Sequence, residues 1–151
     1  MRRLPPVSIL DEWIVFDTNI WIFGLRRVPN IPACAQLLEC LDRLRVVLPR
    51  QILQELQANL SENEITTLFR LLSRFPGRLR ISWDKTSPQI ISKYQREGCK
   101  LGDAVIAAHL EELDIKILVS ENRDFLKEIR NLPFRRLSAS QALAELKQST
   151  T

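Results

Sequence analysis

Glycine and histidine are scarce in this chain, and their scarcity argues against two common kinds of active site. The four glycines are scattered and form no glycine-rich loop for a nucleotide phosphate, which argues against a P-loop or Rossmann enzyme; they are Gly24, Gly77, Gly98 and Gly102. The one histidine, His109, lies in an apolar stretch with no second histidine or cysteine at zinc-ligand spacing. We therefore expect His109 to be packed and hydrogen-bonded, and not to act as a catalytic base.

Cysteines and long apolar runs are also few. The three cysteines, Cys34, Cys40 and Cys99, form no metal-binding motif, and an odd number fits a disulfide scaffold poorly. No apolar run reaches the ~18–20 residues that span a bilayer. The first residues include two arginines but no apolar run behind them, so we expect no secretory signal. These features predict a cytoplasmic protein that does not enter a membrane.

The remaining composition is that of an ordinary globular protein. The chain has 151 residues, of which 45% are hydrophobic and 26% are charged, and this length suits one domain with its own core. We assign residues 13–151 to a single domain and residues 1–12 to an N-terminal extension. The net charge of +4 and the pI of about 9.3 are suited to a phosphate-bearing partner.

Short β-rich runs alternate with longer helical patterns along the chain. Strands are predicted at residues 13–16, 45–48, 79–81, 115–119 and 134–137. Helices are predicted at residues 32–44, 49–60, 61–75 and 103–113 and from about residue 138 onward. Strands that alternate with helices are joined by right-handed crossovers. The sequence therefore predicts a three-layer α/β/α sandwich with a mostly parallel sheet of about five strands.

Four acidic residues fall where this topology returns to one edge of the sheet. Asp17 follows the first strand, Glu55 lies in the helix after the second, Asp103 begins the helix that leads into the fourth, and Asp124 follows the fourth. Open α/β sheets bind their ligands at the carboxyl edge. Four crowded carboxylates become protonated or bind a cation, and oxygen ligands suit Mg²⁺ or Mn²⁺. Such a centre would support hydrolysis of a phosphodiester.

Each acid also has an ordinary structural interpretation. Asp17 would end a strand and cap the next turn, and Asp103 or Asp124 would cap a helix. Glu55 would be solvated on the flank of an amphipathic helix. A strand that ends in aspartate also suits an aspartyl-phosphate site, although Asn19 then stands where a second acid is usual. The four acids together favour the metal centre over these separate explanations.

The segments that carry the acids resemble the signature of PIN domains. They are Asp17-Thr18-Asn19 after a strand, Glu55 in the next helix, Asp103 to Ala108, and Leu118 to Phe125. The resemblance runs from about Trp13 to Leu137 and implies a Mg²⁺- or Mn²⁺-dependent endoribonuclease. Many compact members, the VapC-type toxin ribonucleases, pair with an antitoxin. An RNA substrate, a cognate antitoxin and a homodimer are the partners that this resemblance implies.

The resemblance also assigns roles to residues. Asp17, Glu55, Asp103 and Asp124 would be catalytic and would bind metal, with Asn122 as the alternative fourth position. Thr18, Asn19, Ser120 and Asn122 would support these acids or contact phosphate. The pair Arg26-Arg27 follows closely along the chain and is a candidate phosphate contact or a solvated pair. A catalytically weak or inactive interaction module is the alternative function, because Asn122 is an uncharged amide at one of the two candidate fourth positions.

Overall fold

The computed structural model describes residues 8–123, 125–126 and 132–148. Its centre is a five-stranded sheet made of β1 (Trp13–Phe16), β2 (Arg45–Pro49), β3 (Leu79–Ser82), β4 (Ile117–Val119) and β5 (Arg135–Leu137). The strand order is β3-β2-β1-β4-β5, and each neighbouring pair is parallel. The predicted α/β/α sandwich with a parallel sheet is confirmed.

Seven α-helices flank the sheet within the described residues. They are α1 (Thr18–Leu25), α2 (Pro32–Glu39), α3 (Arg50–Asn59), α4 (Glu62–Arg74), α5 (Pro88–Arg96), α6 (Leu101–Glu112) and α7 (Ala139–Gln148). Neither α1 nor α5 was among the predicted segments. Helix α1 is apolar on most sides and carries no 3.6-residue pattern, because it is packed between other elements.

Two predicted helix boundaries need correction. The helix predicted at residues 32–44 ends at Glu39, and a short 3₁₀ helix follows at Leu41–Arg43. Helix α6 begins at Leu101, two residues before the predicted start. Asp103 therefore lies in the first turn of this helix and is not its N-cap. A negative charge in the first turn is favourable because it faces the positive end of the helix dipole.

The core is built from the strands and from the inward faces of the helices. Ile14, Val15 and Phe16 in β1 are fully buried, as expected for a central parallel strand that is covered on both faces. Ile9, which precedes the sheet, is also fully buried against this core. No helix in the described part of the chain is both long and apolar enough to cross a membrane.

The strand order determines where a ligand can bind. From β1 the chain adds β2 and β3 on one side, and it then returns to the other side of β1 to form β4 and β5. The connections therefore diverge between β1 and β4. A crevice forms outside the carboxyl ends of strands at such a switch point. Asp17 follows β1 directly, and Ser120 follows β4 directly.

Candidate active site at the carboxyl edge of the sheet

Asp17 is the most buried acid of the site, with only 4% of its surface exposed. Its extended backbone makes it the N-cap of α1, and one carboxylate oxygen accepts the backbone N–H of Thr18 at 2.8 Å. The other oxygen accepts the hydroxyl of Ser120 at 2.7 Å. The side chain is thus held from two strands, because Ser120 follows β4. These bonds fix the carboxylate at the switch point.

Glu55 reaches the same place from the second turn of α3. The Thr18 hydroxyl donates to one carboxylate oxygen of Glu55 at 3.2 Å. The Gln51 amide, one helical turn earlier, donates to the other oxygen at 3.3 Å. Thr18 therefore connects the two acids, since its backbone N–H bonds to Asp17 and its hydroxyl bonds to Glu55.

Asp103 enters the network through Asn122. The Asn122 side-chain amide lies 3.3 and 3.4 Å from the two carboxylate oxygens of Asp103. The Asn122 backbone N–H donates to the Ser120 hydroxyl at 2.9 Å. An unbroken path of hydrogen bonds thus leads from Glu55 through Thr18, Asp17, Ser120 and Asn122 to Asp103.

One further predicted residue, Asn19, lies beside this path. The Asn19 side-chain oxygen accepts the backbone N–H of Glu121 at 3.1 Å and so ties the start of α1 to the segment after β4. Asp124 lies outside the described residues. The structure therefore brings together Asp17, Glu55 and Asp103 and leaves the fourth acidic position a prediction.

The surroundings of Asp17 and Glu55 favour the neutral forms of these two acids. Burial is the largest cause that raises the pKa of Asp17, and repulsion from Asp103 acts in the same direction, against the bonds from Ser120 and Thr18. Burial also raises the pKa of Glu55, with added repulsion from Asp17 and Asp103. Since Asp103 raises the pKa of both other acids and Asp17 raises that of Glu55, a cation at this edge would relieve the repulsion.

The donor set suits a hard divalent cation in a hydrated site. Within residues 8–123, 125–126 and 132–148, no three acidic, histidine or cysteine side chains converge to the spacing of a closed metal centre. Mg²⁺, however, keeps several water molecules and is usually bound through one or two carboxylates together with substrate phosphates. Carboxylates within electrostatic reach of one another, linked by a shared hydrogen-bond path, fit such a site.

The arginine pair lies in ion pairs with glutamates. Arg26 contacts Glu64 at 2.8 Å and donates to the backbone oxygen of Asn59 at 3.1 Å. Arg27 contacts Glu39 at 3.1 Å. Both guanidinium groups therefore already face a carboxylate, which weakens the case for a phosphate contact by either.

Two residues that the sequence analysis did not identify also shape the site. Gln51 bonds to Glu55, and its position one turn earlier in the helix is a signal that the sequence contains. Glu121 accepts the backbone N–H of Ala139 at 2.8 Å and so fastens the loop after β4 to the start of α7. No local pattern indicates that contact, because its two ends are brought together only by the β4–β5 pairing.

Comparison with known proteins agrees with this fold. The PIN domain family model matches residues 14–131. Among solved structures, the chain is similar to a chain in the crystal structure of VapBC2 from Rickettsia felis bound to a DNA fragment from its promoter. The TM-score is 0.56 at 20% identity, covering 83% of this chain and 97% of the other. No curated protein matches the sequence. The family match covers most of the chain and includes every acid of the site, and the chain belongs to the PIN domain family.

Proposed function

We propose that the protein is a metal-dependent endoribonuclease that hydrolyses phosphodiester bonds in RNA. PIN domains are generally nucleases and typically use divalent metal ions, which supports the reaction class. The observation that carries the proposal is the hydrogen-bond path that joins Glu55, Asp17 and Asp103 at the carboxyl edge. A structural role for each acid alone would not require three of them on one path.

In this proposal, Asp17, Glu55, Asp103 and Asp124 hold Mg²⁺ or Mn²⁺. When bound there, such an ion would lower the pKa of a water molecule and offset the negative charge on the phosphate. The side chains of the path keep the acids in place. The Thr18 and Ser120 hydroxyls orient the carboxylates, and the uncharged Asn122 amide steadies Asp103 without adding to the negative charge.

We further propose the toxin role in a toxin–antitoxin pair, in the cytoplasm. The similar solved structure is described as a VapBC2 complex with promoter DNA, which supports a cognate antitoxin as the partner. A homodimer and an RNA substrate complete the proposed partners. Residues 13–151 would form the catalytic domain, and residues 1–12 would be an extension that precedes it.

The decisive experiment compares amide variants of two acids with a matched surface control. Asp17→Asn and Asp103→Asn should each lower Mn²⁺-dependent cleavage of single-stranded RNA by about 100-fold or more, because each removes a charged ligand. Asp42→Asn makes the same change on an exposed aspartate of the 3₁₀ helix and should cleave like the wild type. Cleavage by the Asp17 and Asp103 variants at the wild-type rate, with circular dichroism unchanged, would refute the nuclease mechanism.

A second candidate is a catalytically weak or inactive interaction module on the same fold. Two observations favour it. The described carboxylates do not converge to closed metal-ligand spacing, and an amide, Asn122, stands beside Asp103. This candidate predicts no Mn²⁺-dependent cleavage of any RNA but a stable complex with a partner protein. Cleavage that disappears in Asp17→Asn would rule it out.

A further inference from the structure

A hollow of about 300 Å³ lies at the start of α3, beside the candidate active site. Gln51 belongs to both, since it lines the hollow and donates to Glu55 at 3.3 Å. The segment between β3 and α5, which includes Lys85, also lines the hollow. A strand whose phosphate lay at the acids could therefore extend over Gln51 into this hollow.

Two cations border the hollow, and neither is engaged by an acid. Arg50 and Lys85 line it, and within the described residues neither forms an ion pair or a side-chain hydrogen bond. Arg26 and Arg27, by contrast, each contact a glutamate. A phosphate that approaches Arg50 and Lys85 meets charges that are not already neutralised.

The segment that carries Lys85 is fastened to α6. His109 is buried, and its ring nitrogens lie 2.9 Å from the Ser82 hydroxyl and 3.3 Å from the Thr86 hydroxyl. The backbone N–H of Ser87 donates to Glu112 at 2.7 Å. These contacts hold the residues on both sides of Lys85. The backbone that carries the Lys85 side chain is therefore fixed at the rim of the hollow.

We infer that Arg50 and Lys85 bind the phosphates that flank the cleavage site in a single-stranded RNA, and that Arg26 and Arg27 do not. This inference rests on the proposed function for the position of the cleaved bond. The Gln51 and Gln54 amides line the same hollow and can bond to the strand between the two cations. One carboxylate, Asp84, also lies on the rim and opposes the binding of phosphate.

The test is binding of a fluorescent 20-nucleotide RNA in EDTA, where no metal-dependent cleavage interferes. Each phosphate contact with a single strand contributes about 0.7 to the slope of log affinity against log salt. The variant Arg50→Ala/Lys85→Ala should therefore flatten the slope by about 1.4 and bind about 25-fold more weakly at 0.1 M salt. The control Arg27→Ala/Lys116→Ala removes the same charge from two ion-paired residues and should stay within about twofold of the wild type.

A variant that is expected to strengthen RNA binding makes the test stricter. Asp84→Asn removes the carboxylate on the rim and should strengthen RNA binding. Equal affinities and slopes for the Arg50/Lys85 variant and the control, or no RNA binding by the wild type, would overturn the inference. Cleavage with Mn²⁺ is then measured on the same proteins. If the wild type binds RNA but does not cleave it, only the nuclease proposal is refuted. If the wild type cleaves RNA and the Arg50/Lys85 variant binds RNA as tightly as the wild type, only the assignment of these cations is refuted.

Discussion

Among single residues, Asp17 has the greatest consequence for both stability and chemistry. Its carboxylate is almost completely buried. It is close enough to Glu55 and Asp103 for the negative charges to repel one another. Burial of a charge is unfavourable unless hydrogen bonds or a counter-ion compensate it. Ser120 and Thr18 supply two hydrogen bonds, and a cation would supply the rest. The function proposed for this residue therefore opposes the stability of the metal-free protein.

We predict that Asp17→Asn stabilises the protein at pH 7 in EDTA, by on the order of 1 kcal/mol, the size of a typical single-residue effect. Burial raises the pKa of Asp17 above 3.8 in the folded state, so the folded protein binds this proton more tightly than the unfolded chain does. The stability that the proton provides is fully present below pH 3.8 and is lost as the pH rises through the folded-state pKa.

Urea unfolding of the wild type and Asp17→Asn at a series of pH values checks this sign. The free energy of unfolding of Asp17→Asn should equal that of the wild type at pH 3. The difference in favour of the variant should grow with pH and reach a plateau towards neutral pH. Asp42→Asn, which changes an exposed residue, should show no such growth. A variant advantage that does not change with pH would contradict the burial argument.

Among the elements, α1 determines how the site is attached to the rest of the fold. The helix begins at the Asp17 cap and packs closely on α2. A Cβ added at Gly24 would lie 2.6 Å from the Leu38 Cδ1 atom and 2.9 Å from the Cys34 backbone oxygen. The close approach of these two helices therefore requires glycine at this position.

Two glycine substitutions in helices should have opposite effects on the free energy of unfolding. Gly24→Ala should destabilise by about 1–3 kcal/mol, because the methyl group must push α2 away. Gly102→Ala places its methyl group no closer than 3.8 Å to the Gln51 amide and should stabilise by about 0.4–1 kcal/mol, because alanine loses less conformational freedom in a helix. Urea denaturation measures both, and a stabilised Gly24→Ala would show that α1 can shift without cost.

Helix ends show how far local sequence determines an element. The three-residue spacing of Ser61 and Glu64 is that of a capping box, and the box is formed at the start of α4. The pair Ser138 and Gln141 likewise exchanges bonds at the start of α7. Sequence spacing did not show that Glu64 also binds Arg26. The hydrogen bond from Arg26 is the largest of the causes that lower the pKa of Glu64 to about 2. It joins residues 38 positions apart in the sequence.

In the molecule as a whole, the strand order assembles the site. The acids and their partners come from the ends of β1 and β4, from the first two turns of α3 and from the first turn of α6. These segments are distant along the chain and meet because β1 lies between β2 and β4 in the sheet. A ligand that binds all of them therefore connects the two halves of the sheet and should stabilise the complete fold.

We predict that Mn²⁺ raises the melting temperature of the wild-type protein. At a free concentration of 100 times its dissociation constant, a ligand adds about 2.7 kcal/mol, which corresponds to roughly 5–10 °C for a chain of this size. Asp17→Asn and Asp103→Asn should lose most of this shift, and Asp42→Asn should keep it. The same melting temperature for the wild type with and without Mn²⁺ would favour the interaction module.

The sequence by itself determined the architecture and the acids worth testing. Apolar runs predicted β1 and β2 closely, and Asp17 could be placed at the sheet edge because a buried strand ends directly before it. Such features depend on neighbours along the chain, and a local pattern records them. The predicted edge also located Glu55 and Asp103, although their catalytic roles stay predictions.

Only the tertiary structure decided which polar groups meet. It joined Asn122 to Asp103 and Thr18 to Glu55, and it placed Arg26 on a glutamate, away from a phosphate role. It also left Arg50 and Lys85 facing an open hollow. The physical reason is that a side-chain contact depends on distances across the sheet and between helices, which the spacing of residues along the chain does not specify.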